Sequence, residues 1–306
     1  MLLETAQAPT VAPIFPERLR IYTGLLGQIG DIVMFSATVR RLRELFPNAT
    51  ITFAVSQRYR EAGELVAGLP YVDRLFVTRF YFEKLTPSYF QPWERGWPLD
   101  LRGEDEVAEV RRHDIILNTR PRHRRHPWWE HAHHVEELAH MVGVPGPIDR
   151  RTEIKILEGV VLPPGSANKI VLHNDPTTDP RKAWPWEHVL QLVQEVGPEK
   201  FVLLGRPGPV LPSVRDLRGM TTLAQAAAIL QSCRSFVGID SGLMWIAGSL
   251  QVPTIGLYGT EYVPVPETVQ PDNPQAVYLN AEGGLAGIAP KTVRQALEQL
   301  LARPKS

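Results

Sequence analysis

Cysteine is nearly absent: Cys233 stands alone among 306 residues. That excludes an intramolecular disulfide framework and points to a reduced, cytoplasmic setting. The cysteine follows the apolar run Ala226-Ala227-Ala228-Ile229-Leu230 and reads as a small buried hydrophobe. An excess of either charge is also missing. With 33 basic and 33 acidic side chains, the chain lacks the basic surplus of a sequence-blind nucleic-acid binder. No stretch approaches the roughly 20 apolar residues of a transmembrane helix, so at most peripheral membrane association is expected. The first 16 residues lack the basic start and long apolar run of a signal peptide and read as an arm rich in Ala and Pro. What is present suits a folded protein: 43% hydrophobic and 22% charged residues allow a sizeable core, and the length suggests about two domains.

Several short motifs are missing too. There is no G-x-G-x-x-G of a dinucleotide site, no Walker A loop, no G-x-S-x-G nucleophile elbow and no H-E-x-x-H. Instead, β- and α-type patterns alternate. Leu19 to Tyr22, Ile51 to Val55, Val72 to Val77 and Asp114 to Asn118 read as strands. The helices between them begin after the glycine-punctuated loop Gly24 to Asp31 and at Ala62. Residues 79–112 read as a loop with helical pieces, and Val135 to Val142 as a helix. A Pro- and Gly-rich zone from Gly146 to Asn168 marks a boundary. Alternation then restarts, with strands at 169–173, 200–204, 235–239 and 254–258 and helices at 186–196, 223–231, 243–250 and 292–301. The expectation is two Rossmann-like halves with parallel sheets facing a cleft, residues 1–150 and 151–306.

The loop Phe236 to Leu250 is the most informative. A buried strand, the small turn Asp240-Ser241-Gly242 and an apolar helix put backbone N–H groups and a helix dipole at the carboxyl edge of a sheet. Nucleotide phosphates bind at such an edge. Asp175 to Pro185 is a second strand–helix loop, where Thr177, Thr178 and Lys182 suit a diphosphate; a solvated turn is the plain alternative. Asp31 reads either as a helix cap or as a carboxylate at the cleft mouth that takes a proton from a hydroxyl. Arg58 and Arg60 after a strand, and Arg120, Arg122, Arg124 and Arg125 in one basic run, suit an anionic acceptor or a solvated loop equally. Histidines 123, 126, 131, 133, 134 and 140 crowd one segment, but without zinc-site spacing they read as solvated or capping residues.

Taken in order, these segments resemble one family. Gly27 to Val33 with Arg41 to Pro47, Lys182-Ala183-Trp184-Pro185, Asp216 to Leu223, and Asp240-Ser241-Gly242-Leu243 through Pro253 and Gly259 resemble the ADP-heptose:lipopolysaccharide heptosyltransferases, glycosyltransferase family 9. The resemblance implies a GT-B fold and an inverting, metal-independent transfer from a nucleotide-activated heptose, with no cofactor beyond the nucleotide sugar. It implies Asp31 as general base, and Thr177, Thr178, Lys182, Asp240, Ser241, Gly242 and Leu243 at the donor. Gly30, Arg58, Arg60, Arg120 and Arg122 are the acceptor-side candidates, for a glycan or lipopolysaccharide core. Three positions depart from the family pattern. Trp245 stands where the family has histidine, Ser241 where it has threonine, and the stretch Gly205 to Pro209 after Leu204 lacks the acidic residue that some members use near the nucleotide ribose. ADP-heptose, a GDP-sugar and other activated sugars stay open as donors. A degenerate scaffold that binds a glycan or a partner protein is the alternative reading. A sugar-nucleotide epimerase or a dehydrogenase is a third, and the missing G-x-G-x-x-G weighs against the latter.

Overall fold

A computed structural model describes residues 18–24, 27–78, 108–118, 132–144, 146–176 and 179–303. The first half has four strands, β1 (Arg20–Gly24), β2 (Thr50–Ser56), β3 (Arg74–Thr78) and β4 (Ile115–Asn118). They form a parallel sheet in the order β3-β2-β1-β4. Helix α1 (Ile29–Leu45) follows β1, α2 (Arg60–Ala67) follows β2, and α3 (His134–Met141) follows β4. The strands read as near-continuous apolar runs because helices cover the sheet and leave little face for water; Ile51, Phe53 and Val55 are fully buried.

The second half restarts with β5 (Ile170–His173), α4 (Trp186–Val196), β6 (Phe201–Leu203) and β7 (Arg215–Asp216). It continues with α5 (Leu223–Ser232), β8 (Ser235–Ile239), α6 (Gly242–Ser249), β9 (Thr254–Gly259), β10 (Ala276–Ala281) and α7 (Pro290–Ala302). The sheet is again parallel, in the order β10-β9-β8-β5-β6-β7. Strands β7 and β10 were not expected from the sequence. The first is two residues long, and Ala276 to Ala281 is only partly buried and mixes Tyr and Asn into its apolar pattern.

Each sheet reverses its direction of growth once. In the first the reversal lies between β1 and β4, in the second between β5 and β8. Ligands bind outside the carboxyl ends of strands at such reversal points. The halves bring the two points together by packing α1 against α6. One apolar core crosses this junction: Ile32, Phe35 and Val39 share it with Ile229, Trp245 and Ile246. A second core, around Trp184, Leu192, Val293 and Leu297, lies under α4 and α7.

Among its described residues the segment between α3 and β5 carries no helix or strand, as its Pro and Gly content suggests, yet it is pinned to both halves. Glu153 N–H donates to Ser36 Oγ at 2.9 Å and Lys155 N–H to Leu65 O at 2.8 Å. The hydroxyls of Thr152 and Ser249 meet at 2.7 Å.

Candidate functional site

The helix starts that follow β1 and β8 touch directly. The sequence reading has Asp31 face the second helix across a gap; here Gly30 and Gly242 close that line with glycine-to-glycine contact. A Cβ on Gly242 would stand 2.7 Å from Cβ and Cγ2 of Ile29, and one on Gly30 would stand 3.1 Å from Cδ1 of Trp245. Both positions need glycine for close approach. Gly242→Ala is expected to push the helices apart and cost about 1–3 kcal/mol of stability, the usual price of overpacking a filled junction. Urea unfolding checks it. Trp245 is 2% exposed and meets the His133 ring edge-on at 6.3 Å. Its indole is packing material between the halves.

Asp31 sits beside this contact. It does not occupy the N-cap position, which belongs to Gln28; Asp31 is the third residue of the helix, and its Oδ2 accepts the Gln28 N–H at 2.9 Å. This is the reciprocal arrangement of a capping box, and it fixes the carboxylate. Oδ1 faces His134 of α3, with Nε2 at 3.9 Å. About a third of the Asp31 side chain (32%) is reachable by water. Burial pushes the carboxyl above its ordinary range, and nearby Asp240 adds to the rise, against the opposing pull of the Gln28 N–H and of Lys182.

The opposing charge comes from the other half. After β5, a short turn of 3-10 helix (Pro180–Lys182), capped by the Asp179 carboxylate, delivers Lys182 to the reversal point. Lys182 Nζ donates to Asp240 Oδ2 at 2.5 Å and lies 4.1 Å from the centroid of the Tyr262 ring. The two side chains are 14% and 17% exposed. Burial works against the ammonium, but Asp240 and Tyr262 outweigh it and hold the lysine above its usual range. Asp240 ends β8. Ser241 caps α6, its Oγ accepting the Met244 N–H at 3.3 Å. The Leu243 side chain packs in the core. A narrow pocket runs beside the pair, between Arg181, Tyr258, Glu261 and Tyr262.

His134 is the residue that sequence reasoning missed. Burial pushes its imidazole down to about 3, with His133 and Lys182 adding to the effect. It is therefore neutral through the physiological range. His133 is a capping residue, its Nδ1 accepting the Val135 N–H at 3.3 Å. Among the described residues no cluster of three or more His, Cys, Asp or Glu side chains is arranged to hold a metal ion.

Arg58 and Arg60 follow β2, one strand away from β1 on the same sheet edge, and both are exposed. Arg60 Nε donates to Glu64 at 2.7 Å, a pairing along α2. Thr177, Thr178, Arg120, Arg122, Arg124, Arg125 and histidines 123, 126 and 131 lie outside the described residues.

A second pocket, of about 210 Å³, opens at the carboxyl ends of β5 and β6, next to the Lys182 turn. Asn174, Asp175, Trp186, Arg206 and Arg218 line it. Arg206 grips the Asp175 carboxylate through Nε at 3.0 Å and Nη2 at 2.8 Å. Gly205 makes this turn possible at φ 129°, a conformation that side chains resist.

Residues 151–282 match the family model described as "Glycosyltransferase family 9 (heptosyltransferase)". Lipopolysaccharide heptosyltransferase 2 of Salmonella typhimurium (strain LT2) is 32% identical over 96 residues, which is 26% of this chain and 28% of that protein. The sequence match thus spans just over a quarter of the relative's length. Among solved structures, a glycosyl transferase family 9 protein from Veillonella parvula superposes with a TM-score of 0.67 at 18% identity, covering 92% of this chain and 97% of that one. The E. coli ADP-heptose lps heptosyltransferase II gives 0.66 at 18%, covering 92% and 98%. The fold is GT-B, with two parallel α/β halves. Among the described residues no helix is long and apolar enough to cross a membrane.

Proposed function

We propose that this chain, whose residues 151–282 match the model of glycosyltransferase family 9, is an inverting glycosyltransferase. It moves a heptose from a nucleoside diphosphate donor, ADP-heptose in the first instance, to a hydroxyl of a glycan such as lipopolysaccharide core. One observation carries the reading: a carboxylate with raised basicity and a buried lysine arrive from opposite halves at the meeting of two sheet reversal points, where the lysine's charge acts on the carboxylate. A transfer that makes an anionic leaving group while consuming a hydroxyl proton needs this pair of groups.

In the proposed step the acceptor oxygen bonds to the anomeric carbon as the bond from that carbon to the diphosphate oxygen breaks on the opposite side. The hydroxyl proton passes to Oδ1 of Asp31, since Oδ2 is engaged by the helix cap. The electron pair leaves with the nucleoside diphosphate, whose charge Lys182 and the backbone N–H groups at the start of α6 receive. The nucleoside lies in the pocket at the ends of β5 and β6, where Trp186 offers an aromatic face and Asp175 a carboxylate for ribose hydroxyls. No metal or further cofactor takes part in this proposal, and its setting is cytoplasmic with at most peripheral membrane contact. The glycan-binding scaffold would need no leaving-group cation, so the buried Lys182 favours the enzyme.

A thermal-shift panel of ADP-, GDP-, UDP- and dTDP-sugars tests the donor. Ligand binding to the folded state raises the melting temperature by mass action, and the ADP sugar is expected to give the largest rise. No shift with any of the four overturns the reading.

A further inference from the structure

Resting on that reading, we infer that Tyr262 is a positioning residue for the donor: its ring holds the Lys182 ammonium at the diphosphate position as an uncharged partner. The turn that carries the ring is tied down by its own backbone. After β9, Thr260 N–H donates to Ala281 O at 3.1 Å, Glu261 N–H to Gly283 O at 3.0 Å and Tyr262 N–H to Gly259 O at 3.3 Å. Thr260 Oγ1 accepts the Gly283 N–H at 2.7 Å. Gly259 has no room for a side chain in this turn, since a Cβ would stand 2.7 Å from Gly283 O. The ring so fixed meets the loop after β5 beside the narrow pocket that both line. Its centroid lies 4.1 Å from Lys182 Nζ and 5.6 Å from Cζ of Arg181, both within the reach of a cation–π contact.

The two cations are not alike. Arg181 is exposed and already matched by both oxygens of Asp179. Lys182 is buried against Asp240; burial opposes its charge, and Tyr262 joins Asp240 in holding that charge on. An aromatic face suits this place better than two alternatives. A second carboxylate would steady the ammonium but cancel its charge and repel a diphosphate. A hydrocarbon side chain would exclude water and offer the ammonium nothing in return. The ring attracts the cation through its quadrupole and sets no net charge against the anion. The ammonium can therefore leave Asp240 for the phosphates without giving up the ring. A direct role in stacking the nucleobase fits less well. Tyr262 follows β9, whereas the nucleoside pocket lies at the ends of β5 and β6, on the far side of β8 in the sheet.

Changes at 262 separate the ring from its hydroxyl and from its bulk. ADP affinity is measured by calorimetry, and transfer with ADP-heptose as donor and a heptose-deficient lipopolysaccharide core oligosaccharide as acceptor. Tyr262→Leu is expected to weaken ADP binding about tenfold, within the range of a desolvated cation–π contact, and to lower kcat while the KM for the acceptor stays unchanged. Tyr262→Phe should keep most of the affinity that Tyr262→Leu loses. Phenylalanines with progressively more ring fluorines at 262 keep the shape but drain negative potential from the face, so ADP affinity should fall stepwise along that series. In a Lys182→Ala background the leucine change should cost less than about twofold, because the ring acts through the ammonium. Equal ADP affinity for wild type and Tyr262→Leu overturns the positioning role and leaves the transferase reading standing. A flat fluorine series, or a phenylalanine variant as weak as the leucine one, does the same, since bulk or the hydroxyl would then be what matters. An undiminished leucine effect without Lys182 overturns it as well, since the ring would then touch the nucleotide itself. A wild-type protein that neither transfers heptose nor binds any of the four nucleotide sugars overturns the transferase reading, and the role of the ring with it.

Discussion

Asp31→Asn is expected to lower the transfer rate by about 10²–10⁴-fold, the usual contribution of a positioned general base, while ADP affinity stays close to wild type. Asparagine keeps the shape of the side chain and an oxygen to accept the Gln28 N–H that Asp31 now accepts at 2.9 Å, so the first turn of α1 persists. What is lost is the ability to take a proton. Linkage fixes the sign of two companion effects. Burial raises the carboxyl in the folded state, so its charged form costs stability at every pH above that raised value. The substitution is therefore expected to leave the melting temperature at pH 7 equal or higher. Activity runs the other way: as pH falls through the raised value the carboxyl protonates and the rate drops about tenfold per pH unit. The wild-type acid limb should thus lie above the ordinary aspartate range near 4, and Asp31→Asn should flatten it. Wild-type turnover by purified Asp31→Asn would remove this residue from the chemistry.

Much of this arrangement was legible in the sequence, for reasons tied to particular residues. Phe236 to Ile239 and Thr254 to Tyr258 are unbroken apolar runs because parallel strands are buried on both faces. Small residues at 240–242 made the following turn identifiable as a strand–helix junction at a sheet edge. Lys182 was legible because it shares a loop with the phosphate candidates, and Asp31 because it begins a helix after a glycine-rich turn. His134 was not. It lies 103 positions from Asp31, in a histidine-rich run whose composition suggests solvent; only the strand order, which sets β4 beside β1, delivers α3 to the start of α1. A histidine at the first turn of a helix that follows a strand in the same sheet is the one local signal that could have singled it out. Trp245 misled for the opposite reason. Its place in the motif suggests a ligand contact, whereas a large indole at 2% exposure beside two glycines fills the junction between halves. The gap expected between Asp31 and α6 closed for the same reason, since glycines that permit a phosphate to approach also permit another helix to do so.

Lys182→Ala is expected to weaken ADP binding by about 30–100-fold and to slow transfer by about 10²–10³-fold, as the loss of a charge aimed at a departing anion does elsewhere. The binding loss has two parts. The ammonium that would meet the diphosphate is gone, and Asp240, only 17% exposed and paired to Lys182 at 2.5 Å, is left as an uncompensated negative charge facing the anionic ligand. Removing one member of such a buried pair leaves the other to bear its desolvation alone. A double-mutant cycle separates the two parts. In an Asp240→Asn background the same lysine substitution should cost less ADP affinity, because no orphaned carboxylate results, yet the rate loss should persist, because the leaving group still lacks its cation. Calorimetry on the four proteins of the cycle measures the first quantity and single-turnover transfer the second. ADP affinity unaltered by Lys182→Ala would take the lysine out of the phosphate site. Additivity across the cycle would mean that Asp240 and Lys182 do not act as a unit once the nucleotide is bound, and that the diphosphate draws the ammonium away from the carboxylate it rests on in the free protein.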